Sequence, residues 1–492
     1  MLTFEELEQK FAASPVRLQG RDVTGVLKLA RDETAIDFIS TKFLHFEGGA
    51  NGWFELELTG PDGRGILVHN AVRNGSGSHM AEGMSTAFHA SVRPNVLVFD
   101  SAGLDAEHRV GAVVVRLEKL EHFFDYQYIE LLSCHDLPDA TKTALKAMRY
   151  GEEDEKSEKD FFAPTHAYLI HEMNEILQFR LDDRLYKVWT GGKSASMLSW
   201  HKASFEVFPF LGINFDTPVP IDEALSRVWE WRGFFTQMAM RPLCPECIYF
   251  QRDHDLRSPM GSVYLPNSKR SGDYPPILHE PHPAYLPLNR WTERESLSAA
   301  MQKWLASYDD RRAFRGRLGR VITEMNWRSD QTDLFELCAG IDSLAELDPK
   351  TAFPKGTIRQ MAASAQQAAK EREVTIGIDR LCGVLGGLQR RSLAEKMKEL
   401  CKRAGLATSS EVDLLVKTAR EIRDDIAHRG AANEQRNPLI APAVEALAAL
   451  CAAFDLHHAG VPSRRAENGF DPPWKRRFRD AIRELKQLSA RT

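Results

Sequence analysis

Hydrophobic and polar positions alternate along the first part of this chain and recur at helical spacing along the last part. Up to about residue 120, the runs "VTGVLKLA", "GWFELELTG", "GRGILVHN", "SVRPNVLVFD" and "RVGAVVVRLEKL" are short, alternating or apolar, and separated by Gly, Asn, Asp and Pro. Such runs predict strands. Strand patterns resume in "EILQFRL", "RLYKVWT" and "ASFEVFPFLGINF", followed by an amphipathic helix in "IDEALSRVWEWRGFFTQMAM". Residues 1–285 therefore read as a β-rich region, in one unit or two. The polar run "GEEDEKSEKD" at 151–160 has almost nothing to bury and reads as a solvated loop or linker.

From about residue 291 the period changes. "RESLSAAMQKWLASY", "TDLFELCAGIDSLAEL", "GTIRQMAASAQQAAKERE", "SLAEKMKELCKRAG", "SSEVDLLVKTAREIRDDIAHRG" and "PLIAPAVEALAALCAAF" follow one another with short connections. Pro354, Gly405, Gly430, Pro438 and Gly460 punctuate them. This is the pattern of an antiparallel helical bundle over 291–460. The last segment, 461–492, predicts a basic terminal helix in "PPWKRRFRDAIRELKQLSART". The fold class expected is α+β multidomain, and 492 residues suit two or three domains.

Charge sharpens that division. Residues 291–492 carry 34 Lys and Arg against 28 Asp and Glu, a net +6, which leaves a net −11 for residues 1–290. A polyanion partner is compatible with the C-terminal part only, although ordinary solvated faces give the same balance. Seven cysteines scattered over the chain do not form a disulfide framework, so most are expected as buried thiols in a reducing compartment. The acidic, amphipathic start "MLTFEELEQKF" does not resemble a signal peptide. The apolar stretch "LIAPAVEALAALCAAF" is shorter than a membrane span and contains Glu445, which predicts a buried helix. A cytoplasmic protein without a membrane partner is expected.

One helix concentrates polar chemistry at its end. In "SSEVDLLVKTAREIRDDIAHRG", Val412, Leu415, Ala419, Ile422 and Ile426 form a buried stripe, with Ser409 or Ser410 as cap and Gly430 as a left-handed stop. Arg423 and His428 are five residues apart, about 140° round the axis, so they do not converge on a straight helix. They meet only if the helix unwinds before His428, or if a twofold dimer brings them together across its axis. An Arg and a His beside a phosphodiester suit cleavage of RNA by its own 2′-hydroxyl. The imidazole takes the hydroxyl proton or protonates the leaving oxygen, and the guanidinium offsets the transition-state charge. The helix C-terminus favours imidazolium, and DNA lacks the attacking group. The plainer alternative is a solvated helix end in which Arg423 pairs with Glu421, Asp425 or another neighbour and His428 helps the cap.

Arg423, the polar Asp424 and His428 in "RDDIAH" match the R-x(4–6)-H pattern of HEPN domains, helical bundles that dimerise and often act as metal-independent ribonucleases. "TAREIRDDIAHRG" resembles the version in ApeA-type abortive-infection proteins, which join a β-rich N-terminal region to a C-terminal HEPN domain. The resemblance covers about 295–460, with a looser likeness in "RDVTGVLKLA" and "RVWEWRGFFTQMA". It implies a cytoplasmic anti-phage effector that is a homodimeric endoribonuclease. Arg423 and His428 would be catalytic and Asp424 would orient them, with no cofactor. RNA, such as tRNA, would be its substrate, a phage product its trigger, and the N-terminal region its control. Asp424 stands where Asn is commoner in the family, and Asp342 where Glu is expected. The alternatives are a non-catalytic bundle that binds RNA or a partner, and a toxin restrained by a nucleotidyltransferase partner.

The same pattern also occurs at Arg64 with His69, Arg73 with His79 and Arg116 with His122, all in strand or loop texture. "CPEC", with Cys244 and Cys247 and with His254, His279 and His282 downstream, has half of a zinc site's spacing, and buried thiols are the simpler expectation. "TGGKS" at 190–194 has Lys187 where a phosphate loop needs its first Gly. "RRAFRGRLGR" and Arg476, Arg477 and Arg479 suit either phosphate contacts or ordinary helix ends. Trp229, Trp231, Phe234 and Phe235 have the spacing of core packing rather than base stacking.

Overall fold

The structure, a computed structural model, describes residues 2–21, 23–46, 52–80, 86–124, 129–133, 166–170, 175–195, 204–253, 260–268, 270, 273, 290–324, 329–347, 356–372, 392–406, 408–462 and 471–491. The charged run at 151–160 and His254, His279 and His282 lie outside the described residues.

A short helix, α1 (Phe4–Lys10), precedes β1 (Ser14–Leu18), β2 (Val23–Lys28), β3 (Ala35–Ser40), β4 (Phe54–Thr59), β5 (Gly65–Met80) and β6 (Thr86–Arg93). These six strands close into an antiparallel barrel in the order β1-β2-β3-β6-β5-β4 and back to β1. Alternation gives the barrel its interior, because every second residue of β1 and β2 is buried while its neighbours face water. Gly25 makes room for an interior ring, since a Cβ there would stand 2.7 Å from Phe38.

From β5 the sheet continues outside the barrel through β7 (Val96–Phe99), β15 (Met260–Tyr264), β14 (Pro245–Gln251), β8 (Val110–Leu117), β13 (Ser204–Val219), β12 (Arg184–Ala195) and β11 (Glu175–Leu181). A separate pair joins β9 (Ile129–Ser133) to β10 (His166–Ile170). β7 and β8 are buried almost throughout because both faces are covered. On one face Val113 and Val115 join the main core, and on the other Val114, Phe210, Cys247 and Tyr249 form a smaller cluster.

α2 (Ile221–Ala239) lies against β8 and carries the core into the helical half. Trp231, Phe234 and Phe235 are fully buried, as expected of core residues, whereas Trp229 is only half-buried, and Phe234 meets Trp304 edge-on with ring centroids 5.9 Å apart. That half comprises α3 (Arg290–Ala306), α4 (Tyr308–Glu324), α5 (Gln331–Asp342), α6 (Thr357–Glu371), α7 (Leu393–Ala404), α8 (Ser409–Arg429), α9 (Asn437–His458) and α10 (Pro473–Ser489). α9, the apolar stretch read as a buried helix, runs through the centre and touches α2, α3, α4, α5, α7, α8 and α10. α10 packs along α9 through Trp474, Phe478, Ile482 and Leu485, so the basic terminal helix is part of the core.

The arginine-rich stretch 311–320 falls inside α4, and its buried members Arg311 and Arg315 are structural. Asp455 of α9 is fully buried and accepts from Arg311 Nη1 at 2.6 Å, Arg315 Nε at 2.8 Å and Trp304 Nε1 at 3.0 Å. Arg317 and Arg320 pair with Glu336 of α5. Arg479 pairs with Asp471 at 2.7 Å. "TGGKS" lies within β12, paired to β13, and Cys244 and Cys247 are buried thiols outside any disulfide. Burial pushes the Cys247 thiol up to about 12. The other described cysteines, Cys338, Cys401 and Cys451, are buried and outside any disulfide as well.

Candidate functional site: the end of α8

α8 begins at a Thr408 cap, one residue before Ser409 and two before Ser410, and the Thr408 N–H donates to Glu411 at 3.0 Å. Its buried face is wider than the stripe expected. Leu415, Val416, Thr418, Ala419, Ile422 and Asp425 are buried, while Val412 and Ile426 are half-buried. α5, α7, α9 and α10 surround it. At the other end Gly430 takes a φ of +77° and its N–H donates to the Ile426 carbonyl at 2.9 Å. That backbone is closed to most side chains, which is why the helix stops there.

Because α8 is unbroken through Arg429, it does not unwind before His428. Within one chain Arg423 and His428 stay about 140° apart round the axis and about 7.5 Å apart along it. The structure therefore does not bring the two together in a single protomer.

Folding uses their neighbours instead. Asp425, nearly buried, accepts from Arg436 Nη1 at 2.5 Å and from the Asn433 N–H at 3.4 Å. Burial alone would raise the Asp425 carboxyl, but the Asn433 N–H and the Arg436 guanidinium outweigh it and hold it below the usual carboxylate range. Arg436 also pairs with Glu421 at 3.5 Å. The Ala432 N–H donates to Gln331 Oε1 at 2.9 Å, which ties the loop to the start of α5. The acidic partners proposed for Arg423 in the plainer alternative are thus both taken by Arg436.

What remains is accessible. Arg423 is partly exposed, and its ion-pair partner is the adjacent Asp424, at a long 3.4 Å. Its charge acts on Cys338 of α5, opposing the burial that pushes that thiol up to about 12. Asp424 is partly exposed, and His428 is exposed in the last turn and makes no hydrogen bond or ion pair to a described residue. The cap at Gly430 is made by backbone alone, without His428.

In the three other matches to the pattern, the arginines have partners of their own. Arg64 bonds Asp100 at 3.1 Å, while His69 sits between Glu55 at 2.5 Å and Asp222 at 3.1 Å. Arg116 pairs with Glu246, and Arg73 lies over the Phe43 ring. The His69 cluster, with His108 reaching Glu57 at 3.1 Å, escaped the sequence reading because its residues come from β4, β5, the loop before β8 and the first turn of α2. No protein-family model, curated protein or solved structure matches this chain.

Proposed function

We propose that the helical half is a HEPN-type endoribonuclease that works as a homodimer, with Arg423 and His428 of both protomers lining one cleavage site. The observation that carries this reading is the division of labour at the end of α8. Glu421, Asp425 and Arg436 are consumed in holding the loop, whereas Arg423, Asp424 and His428 are left accessible with no structural task of comparable strength. In the proposed reaction the RNA 2′-hydroxyl attacks the adjacent phosphorus as its proton passes to water. His428, as imidazolium at the helix C-terminus, gives its proton to the departing 5′-oxygen, leaving a 2′,3′-cyclic phosphate. Arg423 offsets the charge on the phosphoryl oxygens, and Asp424 orients it.

The angular separation of the pair within one chain makes the dimer a requirement of this mechanism. Phe335 of α5 and Met361 of α6 stay exposed, and a second copy is the cover this reading assigns to them. The wider role proposed is anti-phage abortive infection, with the N-terminal region restraining the bundle until a phage product releases it. The same separation favours a second reading, a bundle that binds RNA or a partner through the basic half without cutting it.

The test is incubation of wild type, Arg423→Ala and His428→Ala with total cellular RNA in the presence of a chelator, reading fragments and their 3′ ends. Cyclic-phosphate ends lost in both variants support the mechanism, with a drop of about 100-fold or more expected for removal of a general acid. Equal fragments from all three proteins sink it. RNA affinity that survives in His428→Ala, with no cleavage by wild type or by residues 291–492 alone, supports the binding module.

A further inference from the structure

α2 and α4 lie side by side, yet between them runs a groove. Its two adjoining cavities, about 510 Å³ and about 270 Å³, share Trp229, Arg232 and Thr323 in their walls. Both are in or near the size range of small-molecule sites, roughly 300–1,000 Å³. Two glycines on α4 keep it open, for a Cβ built at Gly316 or Gly319 meets nothing within 4 Å. A glycine in a helix interior costs stability relative to alanine, and two on one face need a reason.

The polar lining is unfinished. Gln237 and Thr236 of α2 are 1 % and 4 % exposed, yet Gln237 Oε1 and Thr236 Oγ1 have no hydrogen-bond partner among the described residues. Buried polar atoms are ordinarily satisfied, so two orphans on adjacent residues that line one cavity mark a place for an outside partner. One turn earlier on α2, Arg232 uses Nε to donate to the Leu243 carbonyl, leaving its two terminal nitrogens for another acceptor. Arg320 enters from α4 and, among the described residues, pairs with Glu336 at 3.6 Å. The half-buried Tyr308 ring lines the groove at the first turn of α4.

We propose that this groove binds a mononucleotide. Its flat base would lie beside Tyr308, with the hydrogen-bonding edge on Gln237 and Thr236. Its phosphate would reach Arg232 and Arg320. The four residues from Arg232 to Thr236 span about 6 Å of helix, a fair match for the reach from a base to its 5′-phosphate. α2 packs against both β8 and the bundle, so occupancy would be felt on both sides. The inference is independent of the ribonuclease reading and requires no cleavage.

The experiment is titration calorimetry and thermal unfolding of the full chain with AMP and GMP, with inorganic phosphate and adenosine as separate arms. The expected result is saturable binding of at least one mononucleotide, at least tenfold tighter than either fragment, with a raised melting temperature. Gly319→Leu fills the groove from a helix position with free space, so it should fold, melt no lower than wild type, and lose binding. Gln237→Met removes an orphaned acceptor, so it should weaken binding at least tenfold while raising the melting temperature of the unliganded protein. No saturable binding of AMP or GMP at millimolar concentration, or binding unchanged in both variants, would overturn the proposal and leave a groove that holds water only.

Discussion

Asp455→Asn tests what joins α3, α4 and α9. The carboxylate is completely buried. Oδ1 accepts from Arg311 Nη1 at 2.6 Å and Arg315 Nη2 at 3.1 Å, and Oδ2 accepts from Arg315 Nε at 2.8 Å and Trp304 Nε1 at 3.0 Å. Arg315 also donates to the Trp304 carbonyl at 2.7 Å and to Ser307 Oγ at 2.9 Å. Burial would raise the Asp455 carboxyl, but the two guanidinium groups outweigh it and hold it below the usual range. Asparagine has the same shape, yet it removes the charge that offsets two side chains only 3 % and 2 % exposed. It also turns one acceptor oxygen into a donor aimed at donors. Breaking a buried ion pair from one side costs about 3–5 kcal/mol. At about 2–4 °C per kcal/mol for a unit of 150–250 residues, the melting temperature should fall by roughly 6–20 °C. Far-UV circular dichroism at one fixed scan rate reads this, since unfolding of so long a chain is often irreversible. The triple variant Asp455→Leu, Arg311→Met, Arg315→Met should recover most of the loss, because an apolar replacement leaves no charge stranded. A shift of under about 2 °C for Asp455→Asn would refute the argument.

Three further outcomes are expected. His69 is half-buried, which alone would lower its pKa, but Glu55 and Asp222 outweigh this and raise it above 6.5, while His69 holds Glu55 below 4.5. The His69 contribution is full below about pH 6.5 and lost as pH rises through its raised value. That of Glu55 is full above about pH 4.5 and lost as pH falls, so His69→Gln should destabilise most near pH 5.5 and little at pH 8.5 in paired urea titrations. Trp474→Ala removes a side chain 2 % exposed and should cost about 3–5 kcal/mol, with limited proteolysis then releasing α10 first. Gly430→Ala forces a Cβ onto a φ of +77° and should cost about 1–2 kcal/mol in urea unfolding, and no change would mean that the cap relaxes freely.

The sequence by itself determined the division into a β-rich part and a helical part, and most helix positions, because period two and period 3.6 are local properties. The buried course of α9 and the packing of Trp231, Phe234 and Phe235 were legible for the same reason. β1, β3, β9, β10, β15 and most of β6 were not read, because their strand state comes from pairing with distant partners. Closure of the barrel depends on β5 meeting both β4 and β6, which no local pattern encodes. The roles of charges were decided by tertiary structure alone. "RRAFRGRLGR" reads equally as a phosphate surface, and only the approach of Asp455, 140 residues after Arg315, makes it a buried lock. In "REIRDDIAHRG" the residue types were visible, but which carboxylate is spent on the fold and which cation is left free was settled by Arg436 folding back onto Asp425. Local sequence fixes which face of a helix is apolar; what its polar end meets depends on chain that returns from far away.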